Sequence, residues 1–535
     1  VVYYGSQFLH RSPDRGDSWE IISPDLTTND AEKQKQRESG GLTRDVTGAE
    51  NHTTILTIAP SPVERGVIWV GTDDGNVQLT RDGGTTWTNL VTRIKGVPPA
   101  TWVPHVEASK YDAATAFVAF DDHRRGNWTT YVYKTTDYGR TWISLATADI
   151  QGFVHVIEQD PVQPELFYLG TEFGLFVSLN GGRKWFRWTP GVPTVPVTAL
   201  MVHPRDHDLV IATHGRGIYI LDDVRPLREL AGSATIASQP LHLFEPPPAY
   251  QALGRQSAGG RSGGAGEFRG QNRPSGALLT FWAKEAGKDS ARIEVLDASG
   301  EVIRKFAARV QTGVNRVAWN LRRNAFRQPP RDDDRGFDDD DVIFGPRVLP
   351  ANYTVRIALG EQRATRSLRV LDDPKASMPL VDRDEKFRTL MRVGRRSEEA
   401  VDAAGRLKTV REAVERVTGI AIMSGDARVK ELATAATELR QKLEAVSDSL
   451  RAYRALDSVY MSLASSWEKP TQTQLMRLRR AEVRIDRQVA ALNQFLAENV
   501  AAFRQKVQAT TSLALVPETP PLSLEGVKAS GEQKQ

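Results

Sequence analysis

Short apolar runs alternate with polar turns through roughly the first 230 residues of the chain. Residues 67–70 and 166–169 are two such runs, and each is followed by a turn that contains glycine. Runs of this length, bounded by glycine and acidic residues, are typical of antiparallel strands rather than helices. The pattern predicts a series of small sheets with about four strands each.

One motif, S/T-x-D/N-x-G-x-x-W, recurs four times with constant spacing, at residues 12–19, 80–87, 135–142 and 178–185. The Asp or Asn can cap backbone N–H groups of a tight turn, the Gly permits positive φ, and the Trp offers an apolar face for burial. The motif residues are Asp14, Gly16, Trp19, Asp82, Gly84, Trp87, Asp137, Gly139, Trp142, Asn180, Gly182 and Trp185.

A degenerate fifth unit covers residues 209–223. Units of about 40 to 50 residues with four strands are blades of a β-propeller. Residues 1–5 match the second strand of a blade, so we expect the first blade to lack its innermost strand and further blades to precede it.

These residues resemble the BNR/Asp-box propeller superfamily over about residues 1–230. The likeness is greatest to bacterial sortilin-like or "glycosyl hydrolase" BNR-repeat proteins, through the segments 23–27, 41–45 and 69–75. The resemblance implies that the motifs lie at the blade periphery, on the face opposite the usual binding site. It also implies an extracytoplasmic protein, although the chain shows no signal peptide.

That topology places candidate binding residues in the turns between second and third strands and in the connections between blades. A long polar segment, residues 23–51, is either a binding loop or disordered. Acidic residues in such turns also serve as local caps, which is the commoner role. The candidates for the ligand-binding face are Arg44, Asp45, Asp73, Asp74, Asp121, Asp122, His123, Glu172, His214 and Arg216.

No catalytic set is recognisable. Hydrolysis of a glycosidic bond needs two carboxyl groups on either side of the bond. Sialidases of the superfamily carry an Arg-Ile-Pro motif that is absent here, and xyloglucanase-type enzymes place their two aspartates on different propellers. His105 and His155 lie near the start of innermost strands, where a structural role is commoner than metal ligation. We expect no metal and no cofactor.

The remainder divides by composition. Residues 231–276 are rich in Pro, Gly, Ser and Arg and are predicted to form a linker. Alternation returns over 277–374, which predicts an Ig-like β-sandwich. It contains an acidic stretch, 332–341, that is either a solvated loop or a calcium site.

Residues 382–508 carry apolar positions at spacings of three and four, which predicts a helical coiled-coil bundle, and 509–535 form a polar tail. The helices are expected to begin near Glu385, near Val429 and after Pro470. Their apolar stripe favours packing within one chain, with self-association as the alternative.

The composition excludes several classes of function. The net charge of +4 provides no basic field for nucleic acid, and no stretch is apolar enough to span a membrane. There is no cysteine, which excludes disulfides and thiol catalysis. Three hypotheses remain: a mainly β multidomain protein that binds a polysaccharide or polypeptide, a glycoside hydrolase of xyloglucanase-like type, or a structural assembly subunit.

Overall fold

The structure is a computed structural model that describes residues 1–35, 52–251, 273–286, 290–327, 345–375, 378–424, 426–449, 454–511 and 514–522. The chain forms two compact units. The first unit comprises Val1–Glu245, Thr280–Ala286 and Gln311–Asn315. The second comprises Pro246–Leu279, Gly287–Val310 and Arg316–Gln535.

Five antiparallel sheets, each with its strands in chain order, build most of the first unit. They are β1 (Val2–Gly5), β2 (Leu9–Ser12) and β3 (Glu20–Ile21); β4 (Ile55–Pro60), β5 (Ile68–Thr72), β6 (Val77–Thr80) and β7 (Thr88–Asn89); β8 (Trp102–Ala108), β9 (Ala116–Asp121), β10 (Tyr131–Thr135) and β11 (Ile143–Ser144); β12 (Val154–Gln159), β13 (Phe167–Thr171), β14 (Gly174–Ser178) and β15 (Phe186–Trp188); and β16 (Val197–Val202), β17 (Leu209–Thr213) and β18 (Ile218–Leu221).

Consecutive sheets pack face to face in the manner of propeller blades. Strand β8 packs against β4 and β5, β12 against β8 and β9, and β16 against β12 and β13. Glycines permit the close approach: a Cβ on Gly71 would lie 2.4 Å from Val103 Cγ1, and one on Gly170 would lie 2.4 Å from the carbonyl oxygen of Val197. The first unit is therefore a series of blade-like sheets.

The fifth sheet has three strands and is followed by a helix, α1 (Arg225–Gly232). This helix is fixed by a buried ion pair in which Arg228 Nε lies 2.8 Å from Asp160 Oδ1. Leu227 adds an apolar contact to the core of the fourth and fifth sheets. The degenerate repeat predicted by the sequence thus ends in a helix where the preceding repeats have a fourth strand.

The segment predicted as a linker, residues 231–276, contains regular structure in its described part. Strand β19 (Leu241–Leu243) pairs antiparallel with residues 281–283 of β21 (Ala277–Ala283). Strand β20 (Ala249–Gln251) belongs to the second unit. Leu243 and Phe244 before the Pro-rich run and Ala249 after it are buried, which composition alone does not reveal. Residues 252–272 lie outside the described part.

A five-stranded sheet forms the β portion of the second unit, in the order β20, β26, β25, β22, β23. Its further strands are β22 (Ala291–Leu296), β23 (Val302–Ala308), β25 (Ala351–Leu359) and β26 (Gln362–Asp372). Strand β24 (Gly313–Trp319) belongs to a separate three-stranded sheet. Strand β20 is parallel to β26, and the other pairs are antiparallel. The acidic stretch 332–341 lies outside the described residues.

The helical part follows. Its elements are α2 (Leu380–Met423), α3 (Ala427–Ser449), α4 (Arg454–Ala464), α5 (Gln472–Phe495), a π-helical turn (Leu496–Val500) and α6 (Ala501–Thr510). Leu407, Leu439, Tyr460 and Leu492 from four helices share one buried core. The predicted second helix corresponds to α3 and α4, and the third begins after Pro470 as expected, where Thr471 and Gln474 form a capping box.

Within the described residues, no helix is long and apolar enough to cross a membrane.

Candidate functional site

The four motif turns share one hydrogen-bonding scheme. In the second, Asp82 accepts bonds from the backbone N–H of Thr86 at 2.9 Å, the Thr86 hydroxyl at 2.7 Å and the Thr80 hydroxyl at 2.8 Å. These bonds lower the pKa of Asp82 to about 2. Asp14 and Asp137 make equivalent bonds and have pKa values of about 2 for the same reason.

The motif glycines and tryptophans complete these turns. Gly16, Gly84, Gly139 and Gly182 have φ between +73° and +109°. Trp19, Trp87 and Trp142 donate an indole N–H to the carbonyl of the motif glycine and stay partly exposed, whereas Trp185 is buried and donates to Leu145.

Strand register places the motif turns and the acidic turns at opposite ends of the sheets. In the third sheet Trp102 pairs with Asp121 at one end, and Ala116 pairs with both Ala108 and Thr135 at the other, beside the motif. Ile55 pairs with Thr72 and Val154 with Thr171 in the neighbouring sheets. The predicted candidates in these turns therefore occupy one end, called here the acidic-turn face.

Asp73 and Asp74 are buried and hold the backbone. The Asp73 carboxylate accepts a bond from the Thr54 N–H at 2.8 Å, and burial raises its pKa. Asp74 accepts bonds from the Thr28 N–H and the Thr72 hydroxyl, both at 2.5 Å. These contacts hold distant segments to the turn. They correspond to the capping role that was the alternative to ligand binding for these acidic residues.

The next acidic turn is fixed by its own cations. Asp122 contacts Arg125 and accepts a bond from the Asn127 side chain at 2.8 Å. Both oxygens of Asp121 lie within 2.8 Å of His123 Nδ1, and Asp121 is 5 % exposed as a side chain. Asp122 thus orders the loop, while Asp121 orients the imidazole of His123.

An aromatic cluster lies beside this turn, formed by His123, Trp128, Phe153 and His155. The His123 ring stacks on Phe153 with centroids 4.4 Å apart and an interplanar angle of 11°. Trp128 lies 5.6 Å from Phe153 and is 55 % exposed, and His155 meets Phe153 edge-on at 4.9 Å. The ring of Trp128 is thus exposed beside the buried Phe153, with polar groups at the border of the cluster.

Glu172 borders the cluster from the fourth sheet. Its Oε2 lies 3.3 Å from His155 Nε2, and the Glu172 side chain is 30 % exposed. Burial lowers the pKa of His155, which favours the neutral imidazole. The next residue, Phe173, is 40 % exposed and packs beside Gly152. This side of the cluster therefore offers a solvent-accessible carboxylate next to a second aromatic ring.

A guanidinium closes the other side. Arg124 lies 3.6 Å above the ring of Trp102 and 3.7 Å from Asp121 Oδ2. These residues were not predicted from the sequence, because they are separated along the chain and come together only where the third and fourth sheets meet: Trp102, Arg124, Trp128, Phe153 and Phe173. The aromatic residues flanking the acidic turns were the available signal.

The remaining candidates lie in another sheet or outside the described residues. His214 and Arg216 are exposed in the turn of the fifth sheet. Arg44 and Asp45 fall outside the described residues. His105 is partly buried, its Nε2 lies 2.9 Å from the carbonyl oxygen of Ile157, and loss of solvation lowers its pKa to about 4, which favours a structural role. No group of His, Asp or Glu among the described residues is arranged to hold a metal.

A partly buried cluster of charged residues near the motif end was also not predicted. Lys110 Nζ lies 2.5 Å from Glu107 and 3.1 Å from Glu158, and it donates to the Gln159 carbonyl at 2.8 Å. Burial and the charge of Glu158 raise the pKa of Glu107 to about 8. These contacts join the inner strands of the third and fourth sheets, so the cluster stabilises the packing between them.

No protein-family model matches the chain. An oligoxyloglucan-reducing end-specific xyloglucanase of Emericella nidulans is 30 % identical over 122 residues, which is 21 % of this chain and 15 % of that protein. A probable enzyme of the same description from Neosartorya fischeri is 29 % identical over 175 residues, 28 % of this chain and 20 % of that protein. The chain thus matches only a small part of these relatives.

Among solved structures, the Niastella koreensis GH74 enzyme overlaps with 40 % of this chain and 32 % of its own, at 12 % identity and a TM-score of 0.30. An overlap of this size adds nothing to the description of the fold, which rests on strand order and register. The chain is mainly β, with many small antiparallel sheets of propeller type and a helical C-terminal region, and its sequence is distantly similar to xyloglucanases.

Proposed function

We propose that this protein binds a polysaccharide on its acidic-turn face, at the aromatic cluster. The observation that supports the proposal is the exposed ring of Trp128, set beside Phe153 and flanked by the carboxylate of Glu172. Aromatic faces stack on the apolar C–H faces of sugar rings, and carboxylates and imidazoles accept and donate bonds to hydroxyl groups.

A polysaccharide fits the cluster better than a polypeptide ligand. Trp128 and Phe153 lie in loops outside the strands, whereas β-augmentation by a peptide requires an open strand edge. The sequence similarity to xyloglucanases, which act on a polysaccharide by their description, agrees with this choice.

Affinity electrophoresis of the full chain in gels containing xyloglucan, cellulose derivatives, mannan or pectin tests the proposal. We expect retardation by at least one neutral glucan and a loss of about tenfold in affinity in Trp128→Ala, since a tryptophan at the centre of a binding surface typically contributes more than about 1 kcal/mol. Trp19→Ala is the matched control because Trp19 is also exposed but lies in a motif turn. Equal retardation of both variants would contradict the proposal.

Hydrolysis of the polysaccharide is the second candidate, favoured by the similarity to xyloglucanases. In this chain Glu172 is the carboxylate available for acid or base chemistry at the cluster, because both oxygens of Asp121 are occupied by His123. A reducing-sugar assay on xyloglucan with wild type, Glu172→Gln and the control Glu165→Gln tests this. If the wild type binds xyloglucan but does not hydrolyse it, the hydrolysis candidate is rejected and the binding proposal stands.

We make further proposals about the repeats, the C-terminal part of the chain and the location of the protein. We infer that the motif repeats are Asp-boxes of the BNR superfamily, that residues 277–374 form an Ig-like spacer and that the helices serve attachment or self-association. We also infer an extracytoplasmic location, where polysaccharides are found. Sedimentation of the full chain at several concentrations tests self-association, and a constant monomer mass would remove that role and, with it, the assembly-subunit hypothesis.

A further inference from the structure

A pocket of about 220 Å³ lies within the second unit, between the first turns of α2, residues 346–349 and the end of α4. Phe387, Leu390, Val348 and Trp467 form its apolar walls. The cationic residues that line it are Arg322, Arg347, Arg383 and Lys386. None of the described residues that line it is acidic.

Two of these cations lie on neighbouring turns of α2 and are buried. Arg383 pairs with Asp372 through one terminal nitrogen, and its Nε is buried without a hydrogen-bond partner among the described residues. Lys386 Nζ donates to the carbonyl and hydroxyl oxygens of Ser466, the latter at 3.2 Å. An ammonium group has three N–H donors, and Ser466 accepts two of those of Lys386, so the third can donate a charge-assisted bond to a bound oxyanion.

The positive charges act on one another. Burial and the charge of Arg322 lower the pKa of Arg347. Burial lowers the pKa of Lys386 to about 8, with Arg347 acting in the same direction and Glu468 against it. Clustered cations at reduced solvation favour a bound anion, because the anion offsets both the desolvation and the repulsion.

The walls define the rest of the ligand. The Arg347 guanidinium lies 4.7 Å from the centroid of the Trp467 ring, so that the ring and the cation form one edge of the pocket. The volume is below the range of about 300–1,000 Å³ typical of drug-sized ligands, and it suits a single ring or short chain. We propose that this pocket binds a small organic anion, with a carboxylate or phosphate group among the cations and an apolar body against Trp467 and Phe387.

Calorimetric titration of the full chain with four probes tests the contributions of the oxyanion and of the apolar ring to binding. Phenyl phosphate and phenylacetate carry both an oxyanion and a ring, inorganic phosphate carries the charge alone and benzyl alcohol the ring alone. We expect the first two to bind more tightly than the last two, with the better of the pair identifying the oxyanion. Trp467 fluorescence should change on binding, since the ring borders the pocket.

Lys386→Met should weaken the tightest probe by about tenfold or more, as expected for loss of a charge-assisted hydrogen bond. Arg388→Gln is the control because Arg388 points to solvent on the same helix. Trp467→Ala should weaken phenyl phosphate but leave inorganic phosphate unchanged, and it serves if the Lys386 variant fails to fold. Affinity should fall as the pH rises past about 8, where Lys386 loses its proton.

Failure of all four probes to bind the folded wild type at millimolar concentration would overturn the proposal. Equal affinity in wild type and Lys386→Met would also overturn it. Neither result depends on the polysaccharide site of the first unit.

Discussion

At the scale of single residues, the motif aspartates are structural, and the residues proposed to bind a ligand lie in turns at the other end of the sheets. Asp82 uses both oxygens to hold Thr80 and Thr86, and Asn180 fills the same role in the fourth motif by accepting the Lys184 N–H at 2.9 Å. The residue that identifies the repeat therefore serves the turn, and an amide can replace the carboxylate there.

Thermal melting of motif variants checks this role. Asp82→Ala should lower the melting temperature, whereas Asp82→Asn should retain most of the stability, as Asn180 does in its own turn. Because the folded pKa of Asp82 is about 2, below its usual 3.8, its stabilising effect is present at neutral pH and lost as the pH falls from about 4 to 2. If the difference in melting temperature between the wild type and Asp82→Ala were as large at pH 2 as at neutral pH, it would contradict the stabilising role of the ionised Asp82.

Glu107 predicts a pH effect of the opposite sign. Its folded pKa of about 8 lies above the usual 4.5, so the folded state holds a proton that the unfolded chain has released. The free energy of unfolding of the wild type should therefore decrease as the pH rises between these values. Glu107→Gln should become more stable relative to the wild type over the same interval. Urea denaturation from pH 5 to 9 measures the difference, and a constant difference would rule out this protonation.

At the scale of elements, alternation and motif spacing predicted the strands because each one carries its own signal. The helix α1 was not predicted, since its place is fixed by the Arg228 to Asp160 ion pair, which joins residues far apart in sequence. The same holds for the aromatic cluster, where Trp128 and Phe153 come from different sheets. Long-range pairings of this kind leave no local pattern in the sequence.

Two glycines of α2 give a prediction for the helical core. A Cβ on Gly394 would lie 2.0 Å from the Phe326 ring, whereas one on Gly405 would meet nothing within 4 Å. Gly405→Ala should stabilise the protein by about 0.5–1 kcal/mol through helix propensity. Gly394→Ala should destabilise it by about 1–3 kcal/mol through overpacking. Chemical denaturation of both variants checks the pair, and equal effects would contradict the packing described.

At the scale of the whole molecule, two compact units carry two separate candidate sites. The sequence predicted the series of small sheets, the β-rich middle region and the helical C-terminal region, because composition and periodicity change between them. The sequence candidates Asp121, His123 and Glu172 border the first site, but its aromatic residues and the whole second site were not predicted, since they depend on side chains brought together from several elements. We propose a polysaccharide as the ligand of the first site and a small organic anion as the ligand of the second.

Hydrogen–deuterium exchange of the full chain with and without xyloglucan tests the central claim most directly. The account predicts slower exchange on binding in residues 121–131, 152–155 and 171–174, which surround the aromatic cluster, and no change in the motif turns at 12–19 and 80–87. Protection confined to the motif turns, or none under conditions where xyloglucan is bound, would contradict it.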